Sequence, residues 1–422
     1  MTVSDPRAFL ADLFHAAVAA ADPARALQAH MPARPKGRTV VVGAGKGAAQ
    51  LASAFEDLWD GPLEGAVVTR YGYACPTRQI QVLEAAHPVP DPAGLAATDR
   101  LMAAVADLGP DDLVVALVCG GGSALLPAPP PGLSLDDEIA VNQALLASGA
   151  PIGQMNAVRK HVSLIKGGRL AAAAHPAPVI SLVVSDIPGD NPALVASGPT
   201  VPDPTGRQAA LDIVARYGMD LPQRVLDHMA SPEAAAPLSD DPIFANHRVQ
   251  VIASSRISLT AAQRVAEAAG LNAVILSDAI EGEARDIGRM HGALAREIAQ
   301  NGGPFKPPVV LLSGGETTVT VRATGRGGRN GELALALGQD IAGLSTVTAL
   351  SADTDGIDGT EDNAGAFVDG STWSRLVDRG LDPQGALAHN DCWGAFQALG
   401  DLFVTGPTGT NVNDFRAILI TG

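Results

Sequence analysis

Short apolar runs alternate along the chain with longer stretches in which apolar residues recur every three or four positions. This alternation is typical of βαβ units, in which a helix follows each buried parallel strand and covers the sheet. Helices are predicted over residues 48–58, 258–269 and 283–300, among others. Strands are predicted over residues 39–42, 65–69, 113–118, 179–184, 249–253, 272–276, 309–312, 317–322, 346–350 and 402–405.

The order of these elements predicts an α/β protein with two Rossmann-like domains. Residues 231–247, rich in Pro, Asp and Ala, interrupt the periodic pattern, so we place one domain at residues 1–240 and the other at residues 245–422. The strands 309–312 and 317–322 follow each other directly, which indicates a hairpin. We therefore expect a mostly parallel sheet in the first domain and a mixed sheet in the second.

Composition excludes several classes of function. The 422 residues carry a formal net charge of −16, so the surface repels nucleic-acid backbones and anionic membranes. The three cysteines are too widely spaced for a disulfide framework or a zinc cluster. The N-terminus has the pattern of an amphipathic helix, not of a signal peptide, and no run reaches the roughly 18 apolar residues of a membrane span. We expect a cytoplasmic protein that binds neither nucleic acid nor membranes.

A glycine-rich turn at residues 41–49 joins the first strand to a helix. Gly43 and Gly45 allow a ligand to approach the backbone, and Lys46 supplies a cation in the turn. The turn fits a relaxed dinucleotide fingerprint without its acidic ribose ligand, and Arg70 at the end of the next strand suits a 2′-phosphate. A ligand-free strand-to-helix turn is the alternative interpretation.

Polar residues at two later strand ends are further candidates. Residues 118–123 end a strand with three glycines and Ser123, a segment that suits an oxyanion or a phosphate, or else forms a plain turn. Asp186 follows the strand 179–184, and Asp190 lies in the Pro- and Gly-rich loop that continues to residue 203. A carboxylate at the carboxyl end of a parallel strand faces the crevice where α/β proteins bind ligands, and it can act as a base or a magnesium ligand.

A basic segment lies between these two strand ends, at residues 156–169. The spacing predicts a single helix on which Arg159 and Lys166, seven residues apart, share one face. Such a face is either solvated or captures a carboxylate or phosphate group.

The second half contains a glycine–arginine region and an acidic loop. Residues 312–316 and 323–334 place glycines beside Arg326 and Arg329, whose guanidinium groups suit phosphate oxygens. The loop 351–369 is rich in carboxylates, with Asp353 and Asp355 at its start, and fits magnesium held together with nucleotide phosphate better than it fits an EF-hand. Residues 405–414 form a Gly/Thr/Asn loop compatible with nucleotide binding.

In these segments the chain resembles the class II glycerate kinases, whose C-terminal half is the MOFRL domain and whose relatives have also been labelled hydroxypyruvate reductases. The resemblance spans nearly the whole chain and is carried by GAGKGA, CGGGSAL, MNAVRKHVSLIKGGRLA, SDIPGDNPALVASGPTVPD, SGGETTVTV, GRGGRNGELALA, SADTDGIDGTEDNAGA and TGPTGTNVND. It implies transfer of a phosphoryl group from ATP to the 2-hydroxyl of D-glycerate, with Mg²⁺ or Mn²⁺. It also implies an active-site cleft between the two domains and allows a homodimer.

The resemblance implies a role for each candidate residue. Lys46, Asp186 and Arg329 would be catalytic: Lys46 on the transferred phosphoryl group, Arg329 on phosphate or carboxylate, and Asp186 on the 2-hydroxyl. Substrate contacts would be Ser123, Asn156, Arg159 and Asp190. Nucleotide contacts would be Gly43, Gly45, Gly314, Gly315, Glu316, Asn330, Thr408 and Asn411, and the metal would be held by Asp353 and Asp355.

Two other classes of function compete with the kinase. An NADPH-dependent hydroxypyruvate or tartronate-semialdehyde reductase would use the turn at Gly43 and Arg70, with His87 or His161 as an acid without an evident partner. A non-catalytic nucleotide- or sugar-binding regulator would bind the same ligands without turnover. The lysine, the arginine and both carboxylates expected of a kinase are present, which favours the kinase.

Overall fold

The computed structural model of the chain describes residues 3–202 and 204–421. Asp203, which ends the predicted loop 183–203, lies outside the described residues. So do residues 1–2 and 422, at the outer ends of the two predicted domains. The strands are β1 Thr39–Ala44, β2 Glu64–Arg70, β3 Gln81–Ala85, β4 Leu113–Cys119, β5 Val179–Val184, β6 Arg248–Ala253, β7 Asn272–Ser277, β8 Gly282–Glu283, β9 Val309–Gly315, β10 Thr317–Thr318, β11 Val347–Asp353, β12 Gly365–Asp369, β13 Leu402–Phe403 and β14 Asp414–Ile420.

The helices cover the sheets that these strands form, and several short 3₁₀ turns lie between them. They are α1 Pro6–Ala20, α2 Pro23–Gln28, α3 Ala48–Leu58, α4 Pro92–Val105, α5 Gly122–Leu125, α6 Leu135–Ala147, α7 Ile152–Arg159, α8 Arg169–Ala173, α9 Arg207–Arg216, α10 Gln223–Ala230, α11 Ser255–Ala268, α12 Ala284–Asn301, α13 Arg329–Asp340, α14 Thr372–Asp378, α15 Pro383–Ala388 and α16 Cys392–Leu399. No helix within the described residues has the length and apolar character needed to cross a bilayer.

The residues Pro23–Ile252 form one compact unit, called the first unit below. Its sheet has the strand order β3-β2-β1-β4-β5-β6, which is the order of the Rossmann fold, and β1 to β5 are parallel. Alternate residues of β1, such as Val40 and Val42, are buried with Leu101 and Val105 of α4 in the core. The predicted fold class is confirmed for this unit.

The second unit consists of the described residues up to Asp22 together with those from Ala253 onwards. Its main sheet has the order β13-β12-β11-β14-β9-β7, and only the β7–β9 pair is parallel. The predicted α/β class with a mixed sheet is confirmed here as well. Because Leu10, Phe14 and Ala17 of α1 pack with Leu259 and Ala262 of α11, the N-terminal helix belongs to the second unit.

The structure corrects two local predictions. Residues 309–312 and 317–322 do not form a hairpin: β10 has only two residues and pairs with β8, whereas β9 lies between β14 and β7. The basic segment 156–169 is not one helix, since α7 ends at Arg159 and Gly167 and Gly168 adopt positive φ before α8.

Lys166 shows the physical consequence of that second correction. Its ammonium group donates to the Leu126 carbonyl at 2.7 Å and to the Glu138 carboxylate at 2.6 Å, and the side chain is buried. It therefore contributes to the core of the first unit and shares no helix face with Arg159.

Candidate functional site

The carboxyl ends of the parallel strands in the first unit bring several polar residues to one edge of the sheet. In the register of the sheet, Ala44 lies between Val68 of β2 and Val118 of β4. Lys46 follows Ala44 by two residues, and Arg70 follows Val68 by two residues. This edge is where open α/β sheets bind ligands, and the point between β1 and β4 is where the strand order reverses.

The turn after β4 is the point on which the side chains of this edge converge. A methyl group on Gly120 would lie 1.8 Å from a carboxylate oxygen of Asp186, so only glycine leaves room for that side chain. A methyl group on Gly121 would lie 3.0 Å from Cγ of Lys46 and 3.1 Å from Nε2 of His87. The predicted site residues Lys46 and Asp186 therefore lie against the same turn, and His87 lies against it as well.

The backbone of Lys46 is fixed while its side chain has no salt bridge among the residues that the structure describes. Its N–H donates to the Gly120 carbonyl at 2.9 Å, and its carbonyl accepts from the Thr69 hydroxyl at 3.1 Å. A fixed backbone with an unpaired ammonium group suits a residue whose partner is an anionic ligand.

Gly43 and Gly45 have a packing explanation. A methyl group on Gly43 would lie 2.2 Å from the Leu117 carbonyl oxygen, and one on Gly45, at φ +135°, would lie 2.3 Å from the Cys119 carbonyl oxygen. The close approach of β4 therefore requires both glycines whether or not a ligand is bound. Their nucleotide contacts stay a prediction.

The predicted substrate residues Ser123, Asn156 and Arg159 form one hydrogen-bonded chain through Ser197. The Ser123 and Ser197 hydroxyls are 2.8 Å apart, and the Asn156 side-chain oxygen accepts from Ser197 at 2.9 Å and from Arg159 at 2.9 Å. Arg159 also donates to the Asn142 side chain at 2.8 Å, and burial lowers its pKa below the ordinary value. These hydrogen bonds hold the side chains in fixed orientations.

The loop that carries Asp190 is conformationally strained. Asp190, Ala196 and Ser197 all adopt φ between 52° and 61°, a region that residues other than glycine rarely occupy. A methyl group on Gly122 would lie 2.7 Å from Cβ of Ala196, so the loop packs tightly on the turn after β4. Strain of this kind concentrates at binding sites. The structure links Asp190 to no other predicted substrate residue.

In the second unit, Arg329 at the start of α13 is surrounded by carboxylates. It donates from Nε to Asp414 at 2.7 Å, from Nη1 to Glu316 at 2.8 Å and from Nη2 to Asp353 at 2.7 Å. Burial alone would lower its pKa, but the charges of Asp414, Asp353 and Glu316 raise it above the ordinary value. Three of the predicted site residues are therefore joined in one ion-pair network, called the Arg329 network below.

Asp414 and Arg416, which the sequence interpretation missed, complete this network. Both are buried in β14, and Asp414 accepts hydrogen bonds from Arg416, from the Thr317 N–H at 3.1 Å and from the Asn330 amide at 2.9 Å. Arg416 also donates to the Gly314 carbonyl at 3.2 Å. The sequence signal for this pair is two opposite charges, separated by Phe415, in an otherwise apolar run.

Asp353 and Asp355 fit a magnesium ion that arrives with a nucleotide. One Asp353 oxygen accepts from Arg329, the other accepts from the Asp355 N–H at 3.1 Å, and burial followed by the Asp355 charge raises the Asp353 pKa well above its ordinary value. Within the described chain no three His, Cys, Asp or Glu side chains are arranged to hold a metal ion by themselves. Magnesium is commonly bound by one or two carboxylates plus substrate phosphates, which matches a mutually repelling carboxylate pair.

The structure gives the remaining predicted nucleotide contacts different local roles. Gly314 and Gly315 are required by packing, because methyl groups there would lie 2.2 Å from the Ser255 hydroxyl and 2.2 Å from the Ile280 carbonyl oxygen. The Thr408 N–H donates to the Asp355 carbonyl at 3.0 Å, which attaches its loop to the acidic loop. The Asn411 side-chain oxygen accepts from the Asn413 N–H at 3.1 Å, a contact within its own turn.

Comparisons with known proteins cover the chain from end to end. Residues 9–230 match the family DUF4147, a domain of unknown function, and residues 309–414 match the MOFRL family. A protein of Agrobacterium vitis with the provisional name hydroxypyruvate reductase is 50% identical over 98% of this chain and 94% of its own length. A D-glycerate 2-kinase of Thermotoga maritima is 39% identical over 94% of each chain.

A solved structure supports the same relationship. The crystal structure of a glycerate kinase from Thermotoga maritima aligns with a TM-score of 0.90 at 37% sequence identity, over 98% of this chain and 99% of that chain.

Proposed function

The chain belongs to the family that combines the DUF4147 and MOFRL domains. From its similarity to the glycerate kinases over nearly its whole length we infer that it is a glycerate 2-kinase. It transfers the γ-phosphoryl group of ATP to the 2-hydroxyl of D-glycerate and releases ADP. The observation that carries the proposal is the pair of Lys46 and Asp186 at the Gly120–Gly121 turn, where a cation and a carboxylate meet at the ligand-binding edge of a Rossmann sheet.

Phosphoryl transfer needs a positioned hydroxyl and a cation for the moving charge. In the proposed reaction the Asp186 carboxylate orients the 2-hydroxyl and accepts its proton as the oxygen bonds to phosphorus. The bond from phosphorus to the bridging oxygen breaks, and its electron pair leaves with ADP. Lys46 compensates the charge on the transferred group, and Ser123, Asn156 and Arg159 shape the substrate site.

The Arg329 network serves the nucleotide in this proposal. Arg329 offers its guanidinium group to phosphate oxygens, and Asp353 with Asp355 would hold Mg²⁺ or Mn²⁺. The metal, when bound, neutralises phosphate charge. Burial, and after it the charge of Asp355, raises the pKa of Asp353, and a cation held by the two carboxylates would offset the second of these causes.

The assembly and the cellular location also remain proposals. We propose a cytoplasmic enzyme that acts on a small molecule, and the resemblance to class II glycerate kinases allows a homodimer.

The reductase name of the Agrobacterium relatives does not outweigh the kinase assignment. Relatives named glycerate kinases match over the same length, and hydride transfer would leave the Arg329 network without a task. Packing against β4 accounts for Gly43 and Gly45 without a dinucleotide.

The decisive experiment is ³¹P NMR of the purified protein with ATP, Mg²⁺ and D-glycerate, run beside an NADPH-plus-hydroxypyruvate absorbance assay on the same preparation. A 2-phosphoglycerate resonance with flat absorbance is expected, and it also settles the position of phosphorylation. Steady NADPH consumption without a phosphorylated product would overturn the assignment.

The metal assignment has its own test. The Asp353→Asn variant should need a clearly higher Mg²⁺ concentration for half-maximal rate, because one metal-binding charge is lost. An unchanged Mg²⁺ dependence in a folded variant would contradict it.

A further inference from the structure

Arg70 is a cation at the ligand-binding edge of the first unit to which the kinase mechanism above gives no role. It is the last residue of β2, and its guanidinium carbon lies 3.6 Å from the centre of the Tyr73 ring. Its Nε atom is buried and has no hydrogen-bond partner among the described residues, and none of the salt bridges of the described chain includes Arg70. A guanidinium group held in place by stacking, with a buried and unpaired donor, is arranged to receive an anion.

His87 connects Arg70 to the reacting edge. Arg70 pairs with Ala85 at the end of β3, and His87 follows Ala85 by two residues. The Nε2 atom of His87 and the side chain of Lys46 both lie against Gly121. Burial, then the charges of Lys46 and Arg70, lowers the pKa of His87, so the imidazole is neutral at pH 7 and can donate a hydrogen bond from one ring nitrogen.

Two unpaired cations beside a neutral donor call for a small anion in a chain whose net charge is −16. The planar guanidinium fork matches the two oxygens of a carboxylate. In a 2-hydroxy acid the carboxylate is attached to the carbon that carries the reacting hydroxyl, so its site must adjoin those of Lys46 and Asp186. Arg70 ends β2, the strand next to β1, and His87 follows the end of β3.

We propose that Arg70 and His87 form the subsite that binds the carboxylate of the hydroxy-acid substrate. Lys46 then remains for the transferred phosphoryl group and Asp186 for the 2-hydroxyl. This inference rests on the proposed function for the identity of the acid.

Arg159, the arginine that the resemblance placed on the substrate, is less suited to this task. Its Nε and Nη1 donors are already engaged by Asn142 and Asn156 at 2.8 and 2.9 Å. It would have to give up hydrogen bonds to bind a carboxylate, whereas Arg70 would gain them.

The test replaces Arg70 by Met, which keeps an unbranched apolar side chain and removes the guanidinium group with its charge. We expect the KM for D-glycerate to rise about 10- to 100-fold, the loss of a charge-assisted hydrogen bond pair, while the KM for ATP changes less than about twofold. Methyl D-glycerate, which has the hydroxyl and lacks the carboxylate charge, should lose much less. Selectivity for the acid over its ester therefore falls, an effect that general damage to the fold would not produce.

Three further variants make the test specific. Arg100→Met, an exposed arginine on α4 of the same unit, is the matched control and should leave all constants unchanged. Arg70→Lys should restore part of the acid selectivity. His87→Gln should raise the KM for D-glycerate less than Arg70→Met does, and it tests the subsite should the Arg70 variant fail to fold.

Calorimetry with D-glycerate in the absence of ATP separates this inference from the kinase assignment. If the parent protein binds D-glycerate through Arg70 yet forms no phosphoglycerate, the subsite stands and the kinase fails. If phosphoglycerate forms and Arg70→Met binds and uses D-glycerate like the parent, the subsite is refuted and the kinase stands. A selective loss of ATP or NADPH binding in Arg70→Met would also refute it, because Arg70 would then contact a nucleotide phosphate.

Discussion

The two units hold their functional cations in opposite ways. In the first unit Lys46 and Arg70 have no salt bridge within the described chain, although both lie at the carboxyl edge of the sheet. In the second unit Arg329 makes three ion pairs, with Asp414, Asp353 and Glu316. In the proposed function the cations of the first unit gain a partner only when an anionic ligand binds, whereas carboxylates balance the charge of Arg329 before a nucleotide or metal binds.

This difference separates function from stability. Removing an unpaired cation takes away a contact that exists only with ligand bound, so it should change turnover more than folding. Removing the centre of an ion-pair network leaves buried like charges uncompensated, so it should change folding as well. The predictions below test this contrast, beginning with the largest effect.

The Arg329→Met variant should lose about 3–5 kcal/mol of unfolding free energy, the cost of breaking a buried ion pair. Asp353 and the buried Asp414 would face each other without their shared cation. Urea denaturation followed by circular dichroism measures the loss. Arg326, three residues earlier, is exposed and pairs with Glu361 while its guanidinium carbon lies 3.5 Å from the centre of the Trp393 ring, so Arg326→Met should cost much less stability than Arg329→Met. Equal losses of unfolding free energy in Arg329→Met and Arg326→Met would contradict the stabilising role given to the Arg329 network.

The Lys46→Met variant should lose about 10²–10³-fold in kcat, or roughly 3–4 kcal/mol of transition-state stabilisation, as expected when one preorganised charge is removed from a reacting centre. Its urea midpoint should match that of the parent protein. Lys36→Met, at an exposed lysine upstream of β1, is the control for both measurements. Near-parental turnover in folded Lys46→Met would end its assignment as a catalytic residue.

The sequence predicted the first unit better than the second, for a physical reason. Most buried strands of the first unit are uninterrupted apolar runs that turn residues or a helix follow, so the predicted helix 48–58 matches α3 and the strand ends already place Lys46 and Asp186 at the ligand edge. In the second unit, β14 pairs with β9, where Asp414 lies opposite Gly315 about 100 residues upstream, and with β11, where Asp414 lies opposite Asp353 about 60 residues upstream. Long-range antiparallel pairing of this kind leaves no local periodicity to read.

The missed strand explains the missed partners of Arg329. Residues 414–420 follow a Gly/Thr/Asn loop, and the charges of Asp414 and Arg416 obscure what is a fully buried strand. Only the pairing of Asp414 with Asp353 and with Gly315 brings its carboxylate to Arg329. The sequence suggests for His87 only the role of an acid in a reductase, because its convergence with Lys46 on Gly121 requires β3 and β4 to lie in one sheet.

The smallest predicted effect extends the contrast to pH. His291 in α12 is buried, with Nε2 2.9 Å from the Ser313 hydroxyl and Nδ1 2.8 Å from the Ile287 carbonyl oxygen. Burial, with a smaller contribution from the charge of Arg416, lowers its pKa from 6.5 to about 4. Between those values the unfolded chain binds a proton that the folded chain does not, so stability falls as the pH drops from about 6.5 towards 4, by up to ~3 kcal/mol.

Urea titrations at pH 7 and pH 4.5 measure this slope. The His291→Gln variant keeps a hydrogen-bonding side chain without a titrating group, so it should be less stable than the parent at pH 7 and lose less stability on acidification. The exposed His389→Gln variant should follow the parent at both pH values. His291 is hydrogen-bonded to Ser313 of β9. This pH effect on stability therefore arises in the second unit, where Arg329 is already paired with carboxylates. Should His291→Gln keep the parental pH slope, His291 would not be the source of the acid sensitivity.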